Sequence, residues 1–168
     1  MSHSDLPHRP HWDAPELEAY AEDGLLHRDA SLADVINHCR GQLCYLATPY
    51  SKIACSDDGE WDSTLSRDSA LQAAQWARLL TLEGLTAVSP IIQAVEMVHA
   101  DLITQQLDPL DVSFWESWCR PLLNASRCVL VPPILGWDDS DGIWGEVCAA
   151  LRWGRPVFLI KPRFVEEV

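Results

Sequence analysis

Two short apolar runs constrain this chain most: Cys128-Val129-Leu130-Val131 and Pro156-Val157-Phe158-Leu159-Ile160. Neither alternates polar with apolar residues, so each reads as a strand covered on both faces. Between them lie a polar loop and a segment rich in Ala and Leu, residues 145–153, which reads as a helix stopped by Gly154. A buried strand, a helix and a second buried strand form a parallel pair with a crossover helix. Such a pair belongs to a sheet clothed on both sides, and its ligands bind in the crevice beyond the carboxyl ends of the strands.

The rest of the chain repeats the theme. Leu43-Cys44-Tyr45-Leu46-Ala47 reads as a strand ended by Thr48-Pro49-Tyr50-Ser51, and a long polar loop runs from Lys52 to about Ser63. Leu71, Ala74, Leu79 and Leu82 give helical spacing over residues 65–83, with Gly84 as the stop. A strand over 85–90, a helix over 91–107 and a helix over 111–124 follow. The order β-α-β-α-α-β-α-β predicts an α/β protein, a parallel sheet with helices on both faces joined by right-handed crossovers.

A length of 168 residues suits one such domain. We assign the domain to residues 41–168 and read residues 1–40 as an N-terminal arm, partly extended or helical. The arm carries His3, His8, His11 and His27, three prolines and many acids. It reads as a polar segment wrapping the domain or a partner subunit, anchored by Trp12, Leu25 and Leu26, rather than as a metal site.

The formal net charge of −13 opposes binding to a nucleic acid polymer or an anionic membrane. No apolar run approaches the ~20 residues of a membrane span, and no secretory leader is visible, so a cytoplasmic location is the expectation. Six cysteines occur without a CxxC pair and read as small core hydrophobes in a reducing compartment. Dinucleotide and nucleoside-triphosphate glycine motifs are absent, and neither a metal nor an organic cofactor is expected.

Three strand ends converge on one rim of the expected sheet. They bring Thr48, Pro49, Tyr50, Ser51 and Lys52; Ser89 and Pro90; and Trp137, Asp138, Asp139, Ser140, Asp141, Gly142 and Glu146. Carboxylates bind sugar hydroxyls or attack an anomeric carbon, and aromatic rings stack on a base, so this set suits a nucleoside. Glu146 falls in the first turn of the helix read over 145–153, where the helix dipole favours an ionised carboxylate. Plainer roles exist for each residue. Glu146 could serve only the dipole, Ser140 only the helix cap, Tyr45 only the core, and Asp138-Asp139 only as a solvated pair.

The pieces Tyr45-Leu46-Ala47-Thr48-Pro49-Tyr50-Ser51, Val88-Ser89-Pro90-Ile91, Gly136-Trp137-Asp138-Asp139-Ser140-Asp141-Gly142 with Glu146, and Gly154-Arg155-Pro156-Val157 resemble the nucleoside 2-deoxyribosyltransferase superfamily. More closely, they resemble a branch of it known only as a domain of unknown function. The resemblance covers about residues 42–161. It implies a Rossmann-like, flavodoxin-type three-layer sandwich with about five parallel strands. It further implies that Glu146 is the nucleophile, that Tyr45 orients it, and that Ser140 contacts the sugar or its 5′ group. The turn from Thr48 to Ser51 would hold the base or phosphate. The superfamily's acid for the departing base would fall near Cys119, which is not an acid; Asp111 and Glu116 lie elsewhere on the same helix.

The expected function is an N-glycosidic enzyme acting on a nucleoside or nucleoside 5′-monophosphate, as a deoxyribosyltransferase or hydrolase. Glu146 and Tyr45 would be catalytic, with Asp138 or Asp141 as acid/base. Thr48, Pro49, Tyr50, Ser51, Ser89, Ser140 and Gly142 would bind the substrate. The alternative is a non-catalytic nucleotide-binding or sensing module on the same fold. The aromatic helix carrying Phe114, Trp115 and Trp118 predicts a homo-oligomer, a dimer or tetramer.

Overall fold

The structure, a computed structural model, describes residues 5–162; His3 of the arm lies outside them. The elements run α1 (Glu16–Glu22), β1 (Leu26–Ala30), α2 (Leu32–Cys39), β2 (Leu43–Leu46), α3 (Ser63–Leu82), β3 (Thr86–Val88), α4 (Pro90–His99), α5 (Val112–Ala125), β4 (Cys128–Val131), α6 (Asp141–Arg152) and β5 (Val157–Ile160). All five strands are parallel, in the order β1-β5-β4-β2-β3. This is the α/β parallel sheet expected from the alternating pattern, in the five-stranded Rossmann-like form that the resemblance implies.

Alternation along each strand divides the core into two layers. Tyr45, Ala47, Val129, Val131, Val157 and Leu159 face α1, α5 and α6, where Leu17, Leu123, Ile143, Val147 and Leu151 meet them. Cys44, Leu46, Cys128, Leu130, Phe158 and Ile160 face the other way, onto Val35 and Cys39 of α2 and Leu80 of α3. Each fully buried Leu, Phe or Ile contributes on the order of 1.5–3 kcal/mol. The sheet is therefore held from both faces, as its apolar runs require.

The structure departs from the sequence reading in three places. First, the segment read as an arm supplies a strand: β1 pairs with β5, Leu26 opposite Val157 and His27 opposite Phe158. Leu-His-Arg-Asp-Ala is too polar to read as a covered strand because β1 is an edge strand with only its two ends buried. Second, the helix expected over 91–107 ends at His99. Asp101 breaks it by accepting hydrogen bonds from the Ile103 and Thr104 amides, an arrangement that competes with helix. Third, α6 begins at Asp141 rather than Gly145, because the Ser140 hydroxyl accepts from the Ile143 amide and caps the helix there.

The arm's anchor is Trp12. Its ring centroid lies 4.8 Å from that of Trp137 and 5.0 Å from that of Trp144, and its Nε1 donates to the Asp138 carbonyl at 2.7 Å. Trp144 Nε1 donates in turn to the Pro7 carbonyl. The N-terminal segment is thus fastened to the loop that leads into α6. No helix among the described residues is long and apolar enough to cross a membrane.

Candidate active site

The chain leaves β2 toward β3 on one side and later returns past it to β4 on the other. Strand order reverses there, and the carboxyl ends of β2 and β4 part to leave a crevice, the place where open parallel sheets bind ligands. A cleft of about 320 Å³ fills that position. Its walls come from the turn after β2, from Ile91, Ala94 and Val98 of α4, from one face of α5, and from the first turns of α6.

The turn after β2 is fixed by side chains. Thr48 Oγ1 and Ser89 Oγ lie 3.1 Å apart, tying β2 to β3 behind the wall. The Tyr50 hydroxyl accepts from Trp61 Nε1 at 2.9 Å and shares a hydrogen bond with Ser66 Oγ at 2.9 Å. Ser66 also meets His99 Nε2 at 3.2 Å. Gly136, at φ +86°, lets the turn after β4 approach this loop: a Cβ there would stand 3.1 Å from Ile53 Cγ2. Lys52 Nζ closes the rim, 3.1 Å from an Asp139 carboxylate oxygen and 3.5 Å from one of Asp141.

Glu146 stands in the second turn of α6, and its carboxylate accepts a hydrogen bond from the Tyr45 hydroxyl. It keeps partial access to the cleft, yet protein surrounds the carboxyl group. The expectation of a dipole-stabilised carboxylate in a first turn is therefore corrected. Desolvation raises its pKa to about 7, against the lowering effect of the Tyr45 hydrogen bond and with help from the negative charge of Glu116. Tyr45 is fully buried, and its own pKa is raised by that burial and then by the Glu146 charge. Cys119 of α5 sits against the same pair. Burial and the Glu146 charge raise its pKa to about 11, so it is a neutral thiol near pH 7.

The cleft brings together Thr48, Tyr50, Ser51, Ser140, Asp141, Gly142 and Glu146. Tyr45 lies behind Glu146, and Ser89 behind Thr48. Pro49 is buried and does not line the cleft. Asp138 is exposed outside it, its carbonyl turned to Trp12, so a role for its carboxylate as acid/base finds no support in its position. Asp141 reaches the rim but spends its charge on Lys52.

The sequence reading overlooked the α5 wall: Trp115, Glu116 and Arg120, with Trp153 from the end of α6. The spacing of 112, 115, 116, 119 and 123 marks one helical face and was the available signal. Glu116 joins Glu146 and Asp141 as a carboxylate of the cleft, and Arg120, one turn further on, adds a cation.

A five-stranded parallel sheet with a cleft and a tyrosine-bound carboxylate at its switch point defines an α/β Rossmann-like protein. Within that class, residues 42–162 match the family model described as Domain of unknown function (DUF1937). The match spans well over half of the chain, which therefore belongs to this family. Neither a curated protein nor a solved structure matches it.

Proposed function

We propose that the protein is an N-glycosidic enzyme acting on a nucleoside or nucleoside 5′-monophosphate. The observation that carries this reading is the Tyr45–Glu146 hydrogen bond at the floor of the cleft. Glu146 in its ionised form attacks the anomeric carbon. The bond from that carbon to the base nitrogen breaks, the base takes up a proton drawn from solvent and relayed by Glu116, and a glycosyl ester remains on Glu146. Water or a second base then displaces the ester, with overall retention. Tyr45 holds the carboxylate in line. In this reading Glu116, which lines the cleft, exchanges the proton with the base, the part expected of Asp138 or Asp141 from the sequence. Trp115 and Tyr50 offer ring faces to the base, while Ser51, Ser140 and Arg120 offer donors to the sugar hydroxyls or a 5′-phosphate.

The test is incubation with 2′-deoxynucleosides, ribonucleosides and their 5′-monophosphates, with chromatography for free base. Release of base by the wild type and not by Glu146→Gln supports the reading. Binding without release selects the second reading, a nucleotide-binding module. That reading draws on two observations: Glu146 is only partly ionised near pH 7, and Cys119 is a neutral thiol where the superfamily places an acid.

A further inference from the structure

Three thiols meet in the core layer on the far side of the sheet from the cleft. Cys39 ends α2, Cys44 lies on β2 and Cys128 opens β4. Successive strand residues face opposite ways, so Cys44 points away from its neighbour Tyr45 and into the layer of Val35, Leu80 and Phe158. Cys44 and Cys128 are register partners across the β2–β4 ladder, which fixes two of the sulfurs by backbone pairing. The third arrives on α2, whose start is held by the reciprocal cap between Ser31 and Asp34.

All three Sγ atoms lie within 4.8 Å of one another, and those of Cys39 and Cys128 are 3.2 Å apart. Each residue is at most 2% exposed. A metal ion bonded to three sulfurs in a plane at about 2.3 Å sets them about 4.0 Å apart. The Cys39–Cys128 separation is shorter than that value and none exceeds 4.8 Å, so side-chain adjustment without movement of the strands would complete the ring. No histidine or carboxylate joins the group among the described residues.

We propose that Cys39, Cys44 and Cys128 form a binding site for one thiophilic monovalent metal ion, with copper(I) as the matching chemistry. The donor set decides the metal. Zinc in structural sites takes four ligands, and a dry core with three sulfurs offers no fourth. Copper(I) is soft, prefers thiolate sulfur, and is satisfied by two or three such ligands. The thiolate is the ligating species, and it forms as the metal displaces the thiol proton.

Binding is a ligand exchange. Copper–sulfur bonds form, the displaced thiol protons pass to solvent, and the metal keeps its oxidation state. Two thiolates with one retained thiol hold the buried net charge to a single negative charge, which limits the desolvation cost. The metal would pin α2 to β2 and β4, so its binding is coupled to stability.

The test uses the reduced full chain under anaerobic conditions, titrated with copper(I) as its acetonitrile complex against a chromophoric copper(I) chelator. The expected result is one saturable copper per chain, a rise of several degrees in Tm, and a first shell of three sulfurs by X-ray absorption. Zinc should give no comparable rise. Cys44→Ala and Cys128→Ala should each lose the 1:1 step, whereas Cys55→Ser and Cys148→Ala should keep it. Absence of that step overturns the proposal, as does a shell containing nitrogen or oxygen, or a step surviving in folded Cys44→Ala. If the cluster variants fail to fold, the sulfur count and Tm of the wild type decide by themselves.

Discussion

The Tyr45 hydroxyl donates to the Glu146 carboxylate, joining β2 to α6 across 101 residues of sequence. The bond stands where strand order reverses, and it sets a carboxyl group against opposing forces. Burial and Glu116 favour its protonated form, while Tyr45 favours its ionised form.

Glu146→Gln should lower base release by several orders of magnitude while retaining ligand binding, because an amide cannot act as an anionic nucleophile. Its effect on stability has a definite sign. The pKa of Glu146 is raised from 4.5 to about 7, so the folded state favours the proton. That contribution is complete below about pH 4.5 and is lost as pH rises through about 7. At ~1.4 kcal/mol per pKa unit, reduced for partial exposure, the loss is roughly 2–3 kcal/mol. The variant should match the wild type near pH 4 and exceed it by that amount at pH 8, measured by urea unfolding at both.

Tyr45→Phe removes the one interaction that lowers the Glu146 pKa. The Glu146 side-chain carbon, followed by NMR titration, should titrate at a higher pH than in the wild type. The acidic limb of kcat/KM should move with it. Loss of a buried hydrogen-bond donor should cost about 1–3 kcal/mol at pH 8, where the carboxylate is ionised. An unchanged titration would show that the tyrosine does not tune the carboxylate.

Glu116→Gln should shift the same titration downward, since the Glu116 charge raises the Glu146 pKa. More of the nucleophile is then ionised at pH 7. Activity should nevertheless fall by ~10²–10⁴ if Glu116 exchanges a proton with the base. A variant with a lowered Glu146 pKa and undiminished kcat would remove Glu116 from the chemistry.

Trp12→Ala should destabilise the fold by about 2–4 kcal/mol, since the ring packs on Trp137 and Trp144 and its Nε1 holds the Asp138 carbonyl. His8→Ala, an exposed neighbour, should fall within about 0.5 kcal/mol of the wild type. Unfolding in denaturant compares them directly. Equal stability of both variants would show that the N-terminal segment does not brace the loop entering α6.

Val112, Phe114 and Trp153 are 56%, 42% and 45% exposed. Val112 and Trp153 border the cleft, and Phe114 lies on the same helix as Val112. Exposed apolar side chains of this size are commonly covered by a partner copy, so the chain should sediment as a dimer or larger at tens of micromolar, an order-of-magnitude concentration for a standard interface. Phe114→Asp should shift it toward monomer. A wild type that sediments as a monomer would count against this assembly.

Much of this architecture was legible in the sequence because burial on both faces leaves a direct mark. Cys128–Val131 and Val157–Ile160 could be covered strands and little else, and Gly84 and Gly154 punctuate the helices before β3 and β5. The segment before α6 was legible as part of the carboxyl rim by its polarity and its place after a buried strand, and Ser140 and Asp141 line the cleft there. β1 was not legible, because an edge strand carries no continuous apolar run. Nor was the end of α4, where one aspartate outcompeted the helix for its own amides.

The sequence by itself determined the layer order, the parallel sheet and the group of residues at its carboxyl rim, because those follow from local periodicity and chain connectivity. Only the tertiary structure decided which of those residues meet. It turned Asp138 outward to Trp12 and brought Glu116 into the cleft from a separate helix. It gathered Cys39, Cys44 and Cys128 into one cluster across 89 residues of chain. It also placed the Glu146 carboxyl among buried neighbours, where desolvation outweighs the Tyr45 hydrogen bond. Proximity and dielectric environment are properties of packing between distant elements, and no local pattern of residues encodes them.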